Sequence, residues 1–245
     1  MARLAHSKSR FGPPISIEHE VRTGAISYWQ GDYYQSRADR DGVSLLDYIH
    51  ALFGLIAQIH PKSLLMIGCA GGSLATMLTR EGCAVMAVDV NPQAFIIARV
   101  YFSMPDIVEC RVVDGLEYVS STRRKFDAIV LDAFHGGLLP EELVSEKFFA
   151  QARKRVRDDG AIFANIHVVD NNIAADRVAA RMAKGFSNVR VLDRLGKKIR
   201  NAIVMGGAVR GLKKPKLLVK PAIESGKITR VLEDMEFRPW NRRLF

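Results

Sequence analysis

A chain of 245 residues, 48% hydrophobic and 25% charged, is long enough to bury the core of one α/β domain with additions, and its composition is that of an ordinary soluble globular protein. No apolar run approaches the length that spans a bilayer, and the basic start (Arg3, Lys8, Arg10) runs into Pro13 and Pro14 instead of a hydrophobic signal core, so a cytoplasmic protein without a membrane partner is expected. The formal net charge of +10 is one-sided: residues 1–122 carry 10 Lys and Arg against 12 Asp and Glu, whereas residues 123–245 carry 26 against 14.

Residues 1–14 read as a poorly ordered lead. From residue 15 to 35, apolar and aromatic residues alternate or cluster (Ile15, Ile17; Ala25, Ile26, Tyr28, Trp29; Tyr33, Tyr34), with turn-type breaks at Thr23-Gly24 and Gly31-Asp32, which predicts a small β module completing an N-terminal unit over residues 1–44. Leu45, Leu46, Ile49, Leu52, Phe53, Ile56 and Ile59 then recur at helical spacing until Pro61 stops the helix. Tyr28, Trp29, Tyr33 and Tyr34 are expected chiefly to pack the module, with a place beside an acceptor substrate as the alternative.

The stretch from 64 to 91 carries the strongest signal. An apolar run (64–67) meets the small-residue turn Gly68-Cys69-Ala70-Gly71-Gly72, then a helical segment, then a second apolar run ending in Asp89, the order of a β-turn-α-β nucleotide site. Small residues let the backbone turn sharply and approach a ligand, the following helix aims its free N–H groups at the same spot, and Asp89 can accept two hydrogen bonds from a ribose diol. Asn91-Pro92 suits the start of a helix running to about residue 102. A third strand over 107–113 ends at Asp114-Gly115, and a fourth over 126–131 ends at Asp132. Right-handed crossovers return parallel strands in one direction, so Asp89, Asp114 and Asp132 are expected on one edge of the sheet, facing one crevice. Asp114 serves equally well as a helix cap.

Phe148, Phe149, Ala152 and Val156 mark a helix closed by Asp158, Asp159 and Gly160; a fifth strand covers 161–166, a helix 173–186, and a terminal hairpin 189–195 and 202–205. The expected architecture is a Rossmann-like, seven-stranded sheet with an antiparallel end over residues 45–206, followed by a basic tail over 207–245 in which Ile228, Val231, Leu232 and Met235 can form a docking helix. The basic runs (Arg153, Lys154, Arg155, Arg157; Lys197, Lys198, Arg200; Lys213, Lys214, Lys216, Lys220) lack interleaved aromatics and read as solvated faces, which argues against nucleic acid as a partner. Cys69, Cys83 and Cys110 sit in apolar contexts without ligand spacing, so buried reduced thiols and no metal are expected.

From about Tyr33 to Met205 the chain resembles the spermidine synthase family, the aminopropyltransferases, and more closely the spermidine synthase-like proteins on the class I methyltransferase fold. The resemblance runs through Gln35-Ser36, the Gly68 turn, Val88-Asp89-Val90-Asn91, Val113-Asp114-Gly115 and, most specifically, the stretch from Phe126 to His135, with Gly136, Pro140, Leu143, Phe148, Phe149, Gly160 and Asn165 beyond it. It implies S-adenosylmethionine or its decarboxylated form as co-substrate and a small-molecule amine or other acceptor, and a homodimer is the family's habit. It assigns Gln35 and Asp89 to the methionine-derived part and ribose, Asp114 to the adenine amino group, and Asp132 to the neighbourhood of the transferred group and attacking amine. The backbone of Gly68, Ala70, Gly72 and Gly115 completes the expected cofactor contacts.

Two departures shift the expectation. Where the family's turn carries an aspartate for the propylamine this chain has Gly71, and where its catalytic loop carries a second aspartate this chain has His135. An ammonium buried without an anionic partner costs a few kcal/mol, and a basic second half does not steer polycations inward. Aminopropyl transfer with Asp132 as base is the first reading, His135 being either its partner or a loop residue bonded to backbone. Methyl transfer from intact S-adenosylmethionine is the second, and a nucleoside-binding protein without turnover the third.

Overall fold

The computed structural model describes residues 2–7, 12–134, 139–170 and 173–241. Its central feature follows from the apolar runs: β5 (Ser63–Ile67), β6 (Ala84–Asp89), β7 (Glu109–Val112), β8 (Phe126–Leu131) and β9 (Val156–Val169) lie parallel in the order β7-β6-β5-β8-β9. Beyond β9 the sheet turns antiparallel through β11 (Ile199–Gly207), β10 (Val189–Asp193) and β12 (Glu236–Arg238).

Alternate residues of each strand feed opposite faces, as the pleat requires. Leu64, Met66, Val85, Ala87 and Val130 pack with α1 (Asp47–Ile56), α2 (Ser73–Arg80), α3 (Pro92–Tyr101) and α7 (Ser225–Asp234). Leu65, Ile67, Met86, Val88 and Ile129 pack on the other side with α4 (Gly115–Ser121), α5 (Glu146–Arg155) and α6 (Ala174–Met182). The Asn91-Pro92 start is realised in α3, where the Asn91 side chain accepts from the Gln93 N–H at 3.0 Å. Among the described residues no helix is long and apolar enough to cross a membrane.

A second, antiparallel sheet runs β1 (Ala2–Ser7), β2 (Ile15–Glu20), β3 (Ala25–Gln30), β4 (Tyr33–Ala38). Its turns fall at the expected breaks, with Gly24 and Gly31 in the left-handed region at φ 74° and 60°. Ile15, Ile17, Tyr28 and Ala38 close on Ile97 and Phe102, which seats the module beside the glycine turn.

Several expectations are corrected. The lead is not without order: Ala2 to Ser7 pair with β2, a strand whose polar sequence gives no hydrophobic signal. Among the described residues the sheet has eight strands, because the tail returns as β12 at its edge. Asp158 and Asp159 do not close a helix: α5 stops at Arg155 and the chain is already extended at Val156, pairing with Phe126 before a bulge resets the register at Ala128 and Ala161. Arg200 is no solvated cation, since its Nε lies 2.7 Å from Oδ1 of Asp193, a carboxylate with 0% exposure whose Oδ2 is held by Arg238 at 2.8 Å. Cys69 and Cys83 are buried, but Cys110 is only half-buried because β7 is the sheet edge.

Candidate active site

The C-terminal ends of β5, β6 and β8 are laced together at one rim. Gly68 N–H donates to Val88 O, and Asp132 N–H to Ile67 O, both at 2.9 Å. Gly68 holds φ 90°, and a Cβ there would stand 2.3 Å from the Asp132 carbonyl oxygen, so only glycine permits this approach. Ala70, at φ 45°, continues the turn.

Asp89 joins this turn to α3: one carboxylate oxygen accepts from Cys69 N–H and the other from Asn91 N–H, each at 2.8 Å. Burial pushes its pKa up, and those backbone donors pull it back. A carboxylate has about four lone-pair sites, so Asp89 retains acceptor capacity toward the cavity. Asp114 proves to be a helix cap, accepting from Glu117 N–H at 2.9 Å, and it faces the same cavity.

Asp132 follows β8 at the same rim. Its Oδ1 accepts from Asn165 Nδ2 at 2.8 Å, and the Tyr48 hydroxyl lies 3.5 Å from Oδ2. Burial pushes the Asp132 carboxyl up to about 6, against the pull of both hydrogen bonds. Asn165 is itself braced by Asn201, whose Nδ2 lies 2.9 Å from its Oδ1.

These groups wall a cavity of about 700 Å³, within the range of small-molecule sites. Tyr28, Gln30 and Gln35 of the small sheet close it from above; Gly68, Cys69, Ala70 and Gly115 form backbone walls; Asp89, Asp114, Asp132, Glu141 and Glu142 contribute five carboxylates. No Lys, Arg or His stands among its described lining residues. Tyr28 both packs the module and faces the cavity, and burial together with the nearby Asp89 charge drives its hydroxyl pKa well up.

Not every expected residue reaches the cavity. Gly72 lies behind the turn at φ 65°, where a Cβ would meet Met104 Sδ at 2.7 Å, so its role is to let α2 begin against α3. Gly71 also stands off the cavity: its N–H is taken by Ser36 Oγ at 2.9 Å, and a Cβ would lie 2.8 Å from Ser36 Cβ and 2.9 Å from Phe102 Cδ1. An aspartate is thus absent from position 71 and its space is filled. His135 lies outside the described residues.

The roles of Ser36, Tyr48, Asn165, Asn201, Glu141 and Glu142 were not assigned from sequence. Only Asn165 offered a signal: a polar residue inside the apolar run of β9 must find a partner. Among the described residues, no group of three or more His, Cys, Asp or Glu side chains is arranged to hold a metal ion.

The methyltransferase small domain family matches residues 45–199, more than half of the chain. The chain belongs to this family. Within the matched span lie the glycine turn, Asp89, Asp114, Asp132 and Asn165; the β module that supplies Tyr28, Gln30 and Gln35 lies before it. A polyamine aminopropyltransferase from Chromobacterium violaceum is 34% identical over 161 residues, covering 62% of this chain and 61% of that protein. The chain thus spans about three-fifths of that relative's length. In three dimensions a probable spermidine synthase from Corynebacterium glutamicum superposes with a TM-score of 0.78 at 18% identity, over 97% of this chain and 90% of that one. A spermidine synthase in complex with the transition state analogue AdoDATO superposes at 0.67 and 18% identity, over 91% and 76% of the two chains. The match extends beyond the family span to the small sheet, so the fold is that of the methyltransferase-fold spermidine synthases.

Proposed function

We propose that this protein transfers an aminopropyl group from decarboxylated S-adenosylmethionine to a small-molecule amine. The observation that carries the reading is the cavity's charge: five carboxylates and no cation among its described lining residues. Such a lining suits a sulfonium co-substrate bearing an ammonium group and an amine acceptor that arrives protonated. Against the expectation that the basic second half opposes polycations stands the acidic lining of the cavity itself.

In this reading the backbone of the Gly68 turn and Gly115, with Gln35, Asp89 and Asp114, holds the nucleoside and the sulfur-bearing chain. Asp132 takes a proton from the acceptor ammonium, the freed nitrogen lone pair attacks the propyl carbon next to the sulfonium, the carbon–sulfur bond breaks, and methylthioadenosine departs. A carboxyl raised to about 6 is a stronger base than an ordinary aspartate and is still ionised at neutral pH. His135, which follows Asp132 in the sequence, is proposed as its partner. Three unpaired cysteines suit a cytoplasmic setting.

A second reading, methyl transfer from intact S-adenosylmethionine, is favoured by position 71, where Ser36 and Phe102 occupy the volume an aspartate would need. Calorimetry with the decarboxylated and intact compounds and with methylthioadenosine separates the two. Tighter binding of the decarboxylated form, with methylthioadenosine released on adding a diamine, is the expected result. Tighter binding of the intact form assigns the site to methyl transfer, and binding without product release in either assay assigns it to a protein without turnover.

A further inference from the structure

Asp132 ends a chain of side chains that crosses three strands. Asn201 on β11 donates to Asn165 on β9 at 2.9 Å, and Asn165, wholly buried, donates to Asp132 beyond β8 at 2.8 Å. The sense of this chain follows from chemistry. An ionised carboxylate only accepts, so Asn165 must turn its NH₂ toward Asp132; its carbonyl oxygen then points at Asn201, which must donate. A primary amide is nearly symmetric in shape, and rotated by half a turn it would set a carbonyl oxygen against Asp132. That arrangement is satisfied only by the protonated acid, which cannot take a proton from an amine.

We propose that Asn201 is a positioning residue for the transfer reaction: its amide N–H stabilises Asn165 in the orientation that presents a donor to Asp132. The inference rests on the reading of Asp132 as proton acceptor. It extends that reading to a residue two side chains away, outside the span matched by the family and absent from the cavity wall. Asn201 supports the donor orientation of Asn165 by satisfying the carbonyl oxygen that this orientation turns away from Asp132. The remaining groups facing Asp132 are Tyr48 from α1, with Asp47 beside it, and Asp89, Asp114, Glu141 and Glu142 around the cavity. His167 lies opposite Asn201 in the β9–β11 ladder, and His135 follows Asp132 in the chain. All of these stay the same when Asn201 alone is changed.

The test follows the Asp132 carboxyl directly by ¹³C NMR titration of the full chain, its resonance assigned by its loss in Asp132→Asn. In Asn201→Ser a hydroxyl donor is kept, and the Asp132 midpoint stays where it is. In Asn201→Ala the donor is lost without a new charge, and the midpoint rises. In Asn201→Asp the new carboxylate accepts from Asn165, turns the amide over, and moves the midpoint up by about one pH unit or more. The acid limb of the pH–rate profile shifts in parallel, which a merely structural residue would not cause.

Midpoints in Asn201→Ala and Asn201→Asp equal to the native one, in protein whose thermal unfolding shows it folded, overturn the proposal. Should Asn201→Asp fail to fold, the Ala and Ser variants decide alone. A shifted midpoint in a protein that releases no methylthioadenosine overturns the aminopropyl reading and leaves the coupling of Asn201 to Asp132 standing; an unmoved midpoint overturns the coupling whatever the activity.

Discussion

Three aspartates close the C-terminal ends of β6, β7 and β8, yet their surroundings give them different work. Asp89 holds two backbone N–H groups and so stitches the turn it adjoins, Asp114 caps a helix, and Asp132 lies half-buried against two side-chain donors. Because burial raises the Asp132 carboxyl to about 6, its ionised form is less favoured folded than unfolded. The resulting penalty on stability grows as pH rises from the unfolded value near 4 through about 6, and is constant above. Asp132→Asn should therefore raise the melting temperature at pH 7.5, by an amount corresponding to about 1 kcal/mol, and leave it nearly unchanged at pH 4; equal gains at both would deny the raised pKa. In the proposed transfer the same variant should lose roughly 10² or more in kcat, and the native protein's kcat/KM should fall as pH drops through about 6. Asp89→Ala should weaken methylthioadenosine binding by about 1 to 3 kcal/mol through lost ribose hydrogen bonds. It should also lower the unfolding midpoint, since Cys69 and Asn91 N–H lose their acceptor; an unchanged dissociation constant in calorimetry would remove Asp89 from the site. These acids could be read in the sequence because each directly follows an apolar run. Tyr48, Asn165 and Asn201 could not: they meet their partners across separations of 84, 33 and 36 residues, which only strand order and register determine.

At the scale of the element, the glycine turn shows how far residue type alone can be read. Five small residues in a row announced a sharp bend, but not which of them face the ligand. Gly68 and Ala70 line the cavity; Gly71 and Gly72 let other elements approach from behind. Placing the family's aspartate here, as Gly71→Asp, should therefore not supply a partner for an ammonium group. The new Cβ meets Ser36 and Phe102 inside 3 Å, and overpacking of this kind costs about 1 to 3 kcal/mol. Chemical denaturation should register that loss. A variant as stable as the native chain that also binds decarboxylated S-adenosylmethionine more tightly would show that the space is open after all. Elements with a strong period lie close to their expected bounds, α1 and α3 among the helices and β8 among the strands. The strands β1 and β12 escaped notice because neither carries an apolar alternation. β12 is held by charge instead: Arg238 bridges Asp176 at 2.7 Å and Asp193 at 2.8 Å.

Over the whole molecule, net charge and local field part company. Summed along the chain, residues 123–245 carry twelve more cations than anions. Yet that same half delivers Asp132, Glu141 and Glu142 to the cavity, while several of its arginines are spent on internal carboxylates and carbonyls. The exposed lysines of the tail, Lys213, Lys216 and Lys220, line no part of the cavity. No arithmetic on sequence halves separates these populations, because the separation is made by chain folding. The tail is also tied to the small sheet: Glu224 pairs with Arg37, and Ala222 N–H donates to Asp39 at 2.8 Å, so the strand that brings Gln35 into the cavity is braced from the far end of the chain. Steering of a cationic acceptor should accordingly depend on the rim acids and not on the tail. Glu142 is exposed there, and Glu141, also exposed, is paired with Arg181 at 2.6 Å. Replacing both glutamates by glutamine leaves Arg181 unopposed and should lower kcat/KM for a diamine several-fold in 20 mM salt. The deficit should shrink as ionic strength passes 0.2 M, where the screening length falls below about 8 Å. Lys213→Gln, Lys216→Gln and Lys220→Gln together should leave kcat/KM unmoved at either salt concentration. A rise in that triple variant at low salt, with no loss in the rim variant, would return the steering field to the molecule's net charge and take the acidic cavity out of the mechanism.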